Sequence, residues 1–287
     1  MNAAEWMPIV AVAGAIGLAS GSFLTVALDR VDSGGTILRG RSRCPSCKKS
    51  LRWYELVPLA SFMWQRGRCR SCGTAIPLWY PAIEATLGLA LVGVLVAGAL
   101  GTLLPPPFRD PLPLSPALEL PAFIPGIADL LYYGFVAVCG AAIAFYDLRR
   151  LLILPQPTWA LAALGAFAHA MRAYQAGSVI AIVPAVAAAA AIFGLFWLLW
   201  FLSRGRGMGR GDADVAFALA LAIGFPGSIV AIILAFWFGA AYGILALAFR
   251  RIRWKSEVPF APFLVLGAYA AITIATTAAL WTGTYGW

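Results

Sequence analysis

Long apolar runs dominate the pattern of hydrophobic and polar positions along this chain, and short polar segments separate them. Because about 20 mainly apolar helical residues are needed to cross a bilayer, the pattern predicts an all-α polytopic membrane protein with about eight spans. A Gly-Phe-Pro-Gly turn at 224–227 is the only break between the sixth and seventh runs, so the sixth helix is expected to be short. The predicted spans lie near 7–29, 82–103, 127–146, 157–175, 179–202, 213–231, 232–249 and 261–282.

Composition supports a membrane protein and changes how the net charge is interpreted. Of 287 residues, 62% are hydrophobic and 11% are charged, whereas soluble domains carry about 25% charged residues. The net charge of +9 would suggest nucleic acid as the partner of a soluble protein. Here the basic residues are better explained by topology and anionic lipid headgroups, so membrane lipids are expected partners and nucleic acid is not.

The basic residues fall on one side of the membrane if eight spans alternate. Of the 21 lysines and arginines, all but Arg109 and Arg172 lie in segments following odd-numbered spans. The positive-inside rule places that side in the cytoplasm and both termini outside. No Lys or Arg precedes Arg30, so the first run is predicted to be a retained span rather than a cleaved signal peptide. The proline-rich outer loop, 104–125, is expected to be extended.

Four cysteines mark the first cytoplasmic loop, as Cys44-Pro-Ser-Cys47 and Cys69-Arg-Ser-Cys72. Twenty-one residues separate the two pairs. Two Cys-x-x-Cys pairs at about this separation are typical of a zinc ribbon, in which each pair presents two sulfurs to one metal. Two disulfides are the alternative, and a reducing cytoplasm disfavours them. Four thiolates leave no open position for water, so the zinc is expected to be structural.

The chain is therefore expected to have three parts. Residues 1–29 form the first transmembrane helix, residues 30–80 form the cytoplasmic zinc-binding domain with its four cysteines, and residues 81–287 form the remaining membrane domain. About fifty residues build little hydrophobic core, so the metal would supply much of the folding free energy of the loop.

Two acids lie at the predicted cytoplasmic boundary of the membrane. Asp147 closes the third span, and Asp212 opens the sixth, directly after Gly209-Arg210-Gly211. An ionisable side chain in a membrane helix costs free energy and usually has a function. The glycines beside Asp212 let another segment of chain approach its backbone closely. Two carboxyl groups brought together in a poorly hydrated pocket share one proton, hold a water and titrate as a pair. Such a dyad would hydrolyse a peptide bond.

Each acid also has a structural explanation. Asp147 could be neutralised by Arg149 or Arg150, and Asp212 could cap its helix. Asp214 is a third candidate for the dyad. Two residues along a helix correspond to about 200° of rotation, so Asp212 and Asp214 cannot both face one partner. The preceding glycines favour Asp212.

Other polar residues give weaker signals. Glu84 opens the second span and could line the site or pair with the cysteine loop. Asp129 and His169 lie toward the outer ends of their spans, and a lone histidine there is more often packed than a ligand. Cys139 is interpreted as a small packing residue.

Several segments together resemble the bacterial type IV prepilin peptidases, the bifunctional leader peptidase and N-methyltransferase family. The similar segments are Gly21-Ser-Phe-Leu24, Arg41-Ser-Arg-Cys-Pro-Ser-Cys47, Trp53-Tyr-Glu-Leu-Val-Pro58, Gly67-Arg-Cys-Arg-Ser-Cys72, Tyr80-Pro81 with Glu84, Leu154-Pro155, Gly209-Arg-Gly-Asp212 and Pro259-Phe-Ala-Pro-Phe263. The chain departs from the family pattern at Thr25, at Asp214 and in the spacing of Pro155 from Asp147.

The resemblance implies a bacterial inner-membrane aspartic endopeptidase whose substrates are type IV prepilin or pseudopilin precursors. Asp147 and Asp212 would be the catalytic pair, supported by Gly209 and Gly211, and cleavage would follow the glycine of the leader. Family members with this loop usually also methylate the new N-terminus with S-adenosylmethionine. No residue of this sequence can be assigned to that second activity.

Four alternatives remain at this point. The chain could cleave leaders without methylating, or it could be a presenilin-like protease, which has no reason to carry the cysteine loop. It could be a proton-coupled transporter, although transporters usually show repeated halves and midplane sites. It could also be a zinc-ribbon adaptor, which leaves Asp212 unexplained.

Overall fold

The computed structural model describes residues 3–34, 36, 40–99, 127–205, 207–249 and 258–282, and the predicted outer loop 104–125 lies outside this range. All regular secondary structure in the described residues is helical. Two isolated antiparallel bridges, Arg43 with Ser50 and Arg68 with Ala75, are the only β-pairing there. The predicted all-α class is confirmed.

The chain divides into two compact units, Met1–Leu95 and Val96–Trp287. The first unit contains a long helix, the cysteine loop and a second long helix. Its elements are α1 (Ala3–Asp32), a 3-10 turn (Trp53–Glu55), α2 (Ala60–Trp64) and α3 (Trp79–Ala99).

Small residues let α1 and α3 pack backbone against backbone in this unit. A Cβ added at Gly17 would lie 2.3 Å from the carbonyl oxygen of Leu87, and one added at Gly21 would lie 2.5 Å from the Cα of Glu84. Gly17 and Gly21 are four residues apart and so share one face of α1. This spacing is the small-residue pattern by which membrane helices approach closely.

The second unit contains six longer helices and one 3-10 turn. Its elements are α4 (Ile127–Arg150), α5 (Pro155–Ala176), the 3-10 turn Val179–Ile182, α6 (Val183–Ser203), α7 (Arg210–Ile223), α8 (Gly227–Ala248) and α9 (Ala261–Thr282). The short helix α7 is the most buried of them, and it packs against α5, α6, α8 and α9. The core of this unit is therefore built around the helix that begins at the predicted glycine-flanked acid.

Each predicted span corresponds to one helix, but the sixth and seventh have different bounds from those expected. The helix α7 ends at Ile223 rather than near 231, because the chain turns at Gly224, whose φ is 78°. The helix α8 then begins at Gly227 rather than 232. Fourteen residues extend only about 21 Å, less than the thickness of the hydrocarbon core.

Five helical segments in the described residues are long and apolar enough to cross a membrane. They are Met7–Asp32, Trp79–Gly98, Ala128–Arg150, Val179–Ser203 and Gly227–Ala248. A shorter apolar helix covers Ala261–Thr273. A multi-pass membrane protein is thus supported, and the count of eight crossings stays a prediction.

Candidate active site and metal centre

The two Cys-x-x-Cys segments fold into knuckles with the same backbone hydrogen bonds. In the first, the N–H of Cys44 donates to the carbonyl of Lys49 at 3.0 Å, and the N–H of Lys48 donates back to Cys44 at 2.9 Å. In the second, Cys69 donates to Thr74 at 2.8 Å, and Gly73 donates back to Cys69 at 2.8 Å. These bonds place the paired cysteines on one side of each turn.

The knuckles bring all four sulfurs together. The Sγ atoms of Cys44, Cys47, Cys69 and Cys72 lie within 4.8 Å of one another, and the Cys44 and Cys72 sulfurs are 3.8 Å apart. Zn–S bonds of about 2.3 Å in a tetrahedron separate sulfurs by roughly 3.8 Å. The five cysteines of the chain are all free thiols in this structure. The donor set and spacing therefore fit one metal ion better than disulfides.

Hydrogen bonding prepares one of these sulfurs for a metal. The hydroxyl of Thr74 lies 3.3 Å from the Cys72 sulfur. Its hydrogen bonds, from the side chain and then from the backbone, lower the pKa of the Cys72 thiol to about 6. The thiolate is the form that binds metal, so these hydrogen bonds favour Cys72 as a ligand, whereas desolvation and the neighbouring Cys44 and Cys72 sulfurs raise the pKa of Cys47.

Asp212 lies in the first turn of α7, and its own loop holds its carboxylate. Gly209 is the N-cap of the helix, and its N–H donates to Oδ2 of Asp212 at 3.0 Å. Asp212 is 6% exposed. The predicted capping role is therefore present, although Asp212 occupies the third helical position rather than the N-cap itself.

Gly211 brings this loop against the segment between α4 and α5. A Cβ at position 211 would lie 2.7 Å from Cγ1 and 2.9 Å from Cβ of Ile153. A Cβ at Gly209 would be in ordinary contact, 3.4 Å from Oδ2 of Asp212. The two glycines thus differ: close packing requires the absence of a side chain at Gly211 and leaves room for one at Gly209.

Asp147 lies in the last turn of α4 and is 5% exposed. Its Oδ2 accepts a hydrogen bond of 3.2 Å from the backbone N–H of Ala261, the first residue of α9. The structural alternative for Asp147, neutralisation by Arg149 or Arg150, stays a prediction.

Asp147 and Asp212 lie close enough for their charges to interact. One oxygen of each carboxylate is occupied by a backbone N–H at the start of a helix, where the helix dipole favours negative charge. The other oxygens are left for a water or a substrate. Asp214 is only half-buried. The two acids that the sequence analysis singled out thus lie within range of each other's charge, and their role as a catalytic pair stays a prediction.

The remaining candidates have structural partners. Glu84 is buried in the first unit, where its Oε2 accepts a hydrogen bond of 2.8 Å from the N–H of Leu59. His169 is buried, with Nε2 3.0 Å from the carbonyl oxygen of Leu221. Asp129 and Cys139 are buried in α4. Sequence reasoning missed the roles of Ile153 and Ala261, because both contacts depend on the packing of separate helices.

Comparisons with known proteins match both units. The family model described as the bacterial peptidase A24 N-terminal domain matches residues 15–97, and that of the type IV leader peptidase family matches residues 134–244. No solved structure matches the chain.

Three curated relatives share the printed name prepilin leader peptidase/N-methyltransferase. The protein from Myxococcus xanthus is 37% identical over 172 residues, which cover 53% of this chain and 50% of that protein. The protein from Burkholderia pseudomallei is 30% identical over 82% of this chain and 68% of its own length. The protein from Aeromonas salmonicida is 28% identical over 81% of this chain and 70% of its own length.

Proposed function

The chain belongs to the type IV leader peptidase family, and from that premise we propose that it removes the leader from type IV prepilins or pseudopilins. The observation that carries the proposal is the buried pair Asp147 and Asp212. Their charges interact, and each is oriented by a backbone N–H. Both lie in the unit to which the leader peptidase model aligns.

The pair would work as a general acid and a general base on one water. Two adjacent buried carboxyl groups hold one proton between them. The ionised partner takes a proton from the water as the water oxygen attacks the carbonyl carbon of the leader's glycine. The protonated partner donates to the carbonyl oxygen. The resulting diol collapses, the C–N bond breaks, and the new amine leaves with a proton from the pair.

Backbone contacts would set the geometry of this reaction. The N–H groups of Gly209 and Ala261 fix the two carboxylates, and the contact of Gly211 with Ile153 fixes the loop that carries Asp212. Groups that are held in place beforehand do not lose freedom of movement during the reaction. Their orientation therefore lowers a large part of the activation barrier.

Cleavage of a prepilin peptide by purified protein in lipid tests the assignment. Asp147→Asn and Asp212→Asn should each abolish cleavage, because either change leaves the pair without its shared proton chemistry. Asp214→Asn is the matched control, since it removes an acid from the same helix and should cleave like wild type. Wild-type turnover by either of the first two variants would refute the dyad.

The cysteine loop would also bind one structural zinc. The support is the set of four sulfurs within 4.8 Å, which leaves no ligand position for water. The bias of basic residues supports a cytoplasmic location for the loop and the dyad in the bacterial inner membrane. Metal analysis of protein purified without chelator should give one zinc per chain, and the absence of zinc from a folded preparation would refute this.

We also propose that the chain methylates the amine that cleavage exposes. The support is the N-methyltransferase activity in the printed names of its relatives. S-adenosylmethionine would supply an electrophilic methyl group to the nitrogen. The chain itself must bind this donor and orient the new N-terminus toward it. If the mature product is never methylated in the presence of S-adenosylmethionine, the protein is a peptidase without methyltransferase activity.

A further inference from the structure

The short helix α7 ends among buried residues, at Ile223. The last carbonyl groups of a helix lack partners within the helix, and an unpaired carbonyl at membrane depth is costly. The chain turns at Gly224, whose N–H donates to the carbonyl of Ala220 at 2.9 Å. The carbonyls of Leu221 and Ala222 come next, and the described backbone offers neither of them a hydrogen bond. Both therefore need donors from other helices.

Two buried side chains supply these donors. The hydroxyl of Tyr132, in α4, donates to the carbonyl of Ala222 at 2.6 Å. Nε2 of His169, in α5, lies 3.0 Å from the carbonyl oxygen of Leu221, and it carries the hydrogen because a carbonyl can only accept. Tyr132 is 4% exposed and His169 is 2% exposed, so bulk water does not compete with either bond. The end of α7 is thus capped from two neighbouring helices.

The backbone of α5 lies against the same end of α7. A Cβ added at Gly165 would lie 2.5 Å from the carbonyl carbon of Leu221 and 2.7 Å from the nitrogen of Ala222. Gly165 and His169 are four residues apart, so they share the face of α5 that meets α7. This close packing limits sideways movement of the helix end, while the two hydrogen bonds fix its rotation and its position along the helix axis.

The start of α7 contacts the segment that joins the same two helices. The helix α4 ends at Arg150 and α5 begins at Pro155. Ile153 lies between them and packs against Gly211, where a Cβ would approach to 2.7 Å. The α4–α5 pair, together with its connecting segment, therefore contacts α7 at both ends.

These contacts bear on the acid pair, because α4 carries Asp147 and α7 carries Asp212. Tyr132 precedes Asp147 by 15 residues, and Asp212 precedes Ala222 by ten, which correspond to about 22 Å and 15 Å of helix. The helix α4 packs against α5 and α9, and the bond from Tyr132 joins it directly to α7. A rotation or shift at the capped end of α7 is therefore transmitted along the helix to the acid at its other end.

We propose that Tyr132 and His169 are positioning residues for leader cleavage. Their hydrogen bonds to the end of α7 set the separation and orientation of Asp147 and Asp212. The proposal rests on the acid pair of the proposed function. Neither side chain acts on the peptide itself, because each is bonded to a carbonyl about 15 Å along α7 from Asp212. Without these bonds α7 can rotate or shift, and two acids that repel each other when both are ionised then move apart.

Stability alone is the other role that these bonds could have. Loss of either donor leaves a buried carbonyl unpaired, which destabilises a fold. A purely structural bond would change the unfolding temperature and the fraction of folded protein. It would not change the chemistry of the molecules that stay folded, so the shape of their pH profile distinguishes the two roles.

The pH dependence of prepilin cleavage by the full-length protein in lipid provides the test. Tyr132→Phe keeps the buried ring and removes only the hydroxyl. We expect kcat to fall about tenfold, within the hundredfold loss that a small misplacement can cause, and KM to stay unchanged because Tyr132 does not contact the peptide. The flanks of the bell-shaped pH profile should move closer together, because the coupling that spreads the two titration steps of a pair weakens with distance.

Tyr269→Phe is the matched control. Tyr269 lies in α9 of the same unit, and its buried hydroxyl has no hydrogen-bond partner among the described residues, so its removal should leave kcat and the pH profile unchanged. His169 provides an independent pair of variants. His169→Gln can still offer an N–H to Leu221 and should retain more of kcat than His169→Leu, which has no donor. If Tyr132→Phe fails to fold, the same measurements on the two His169 variants decide.

Two results would overturn the proposal, and they differ in what they say of the proposed function. If Tyr132→Phe and His169→Leu keep the wild-type kcat and pH profile, or lose only thermal stability, the bonds are structural and the peptidase assignment stands. The same holds if Tyr269→Phe changes the profile as much as Tyr132→Phe does. If wild type does not cleave prepilin, the proposed function fails, and the positioning role fails with it.

Discussion

Gly209 and Gly211 flank the same acid, yet their surroundings differ. Gly211 lies against Ile153, where a Cβ would approach to 2.7 Å, whereas a Cβ at Gly209 would meet nothing closer than 3.4 Å. Neither has a positive φ. The requirement for glycine at position 211 therefore comes from close packing and not from backbone conformation.

Alanine substitutions separate the two positions. Gly211→Ala should displace the loop that carries Asp212 and lower kcat/KM for prepilin cleavage by about tenfold to a hundredfold, as small misplacements in active sites do. Gly209→Ala keeps the N–H that binds Asp212 and should lose at most about 1 kcal/mol of stability while retaining cleavage. Equal losses in peptide cleavage assays would contradict the packing argument.

The roles of individual residues were only partly predictable. The four cysteines were found because a metal knuckle is a local structure with fixed spacing. Asp212 was found because its glycines stand beside it in sequence. The N–H of Ala261, which binds Asp147, comes from 114 residues away. The segment around Ala261 resembled the family, but nothing in its residue types indicated a backbone donor.

At the scale of elements, helix type was predictable and helix ends were less so. Apolar runs indicated every long helix, because burial in lipid or in the bundle requires such runs. The end of α7 at Ile223 depends on the turn at Gly224, and the pattern alone placed it eight residues later. A continuous apolar pattern does not reveal where the backbone changes direction.

The pairing of α1 and α3 depends on the small residues of one helix face. Gly21→Val would place side-chain atoms against the backbone of Glu84, where even a Cβ reaches 2.5 Å from its Cα. We expect a loss of about 1–3 kcal/mol of stability from overpacking.

Gly14→Ala is the control for this prediction. Its Cβ would lie 3.5 Å from a side-chain atom of Val92, an ordinary contact. Thermal unfolding of the two variants in the same lipid should separate them. If Gly21→Val unfolds at the same temperature as Gly14→Ala, the close pairing of α1 and α3 does not contribute to stability.

At the scale of the whole molecule, the chain consists of two units with separate chemistry. The first would bind zinc, and the second would hold the acid pair. This division follows the two family models, which match residues 15–97 and 134–244.

Removal of zinc should therefore unfold the cysteine loop of the first unit and leave the second unit folded. Structural zinc contributes about 10–16 kcal/mol to small metal-bound folds, and residues 41–76 have few other means of staying folded. Hydrogen exchange with and without chelator should show lost protection in this segment and unchanged protection in α7. Equal protection of the cysteine loop after complete zinc removal would contradict a structural metal.

The most direct test of the acid pair is the intact mass of a prepilin after incubation with the purified protein, measured with and without S-adenosylmethionine. Wild type should remove the leader in both cases and add a methyl group only with the donor. Asp212→Asn should leave the prepilin intact. Leader removal by Asp212→Asn would contradict the central claim that Asp147 and Asp212 together catalyse cleavage.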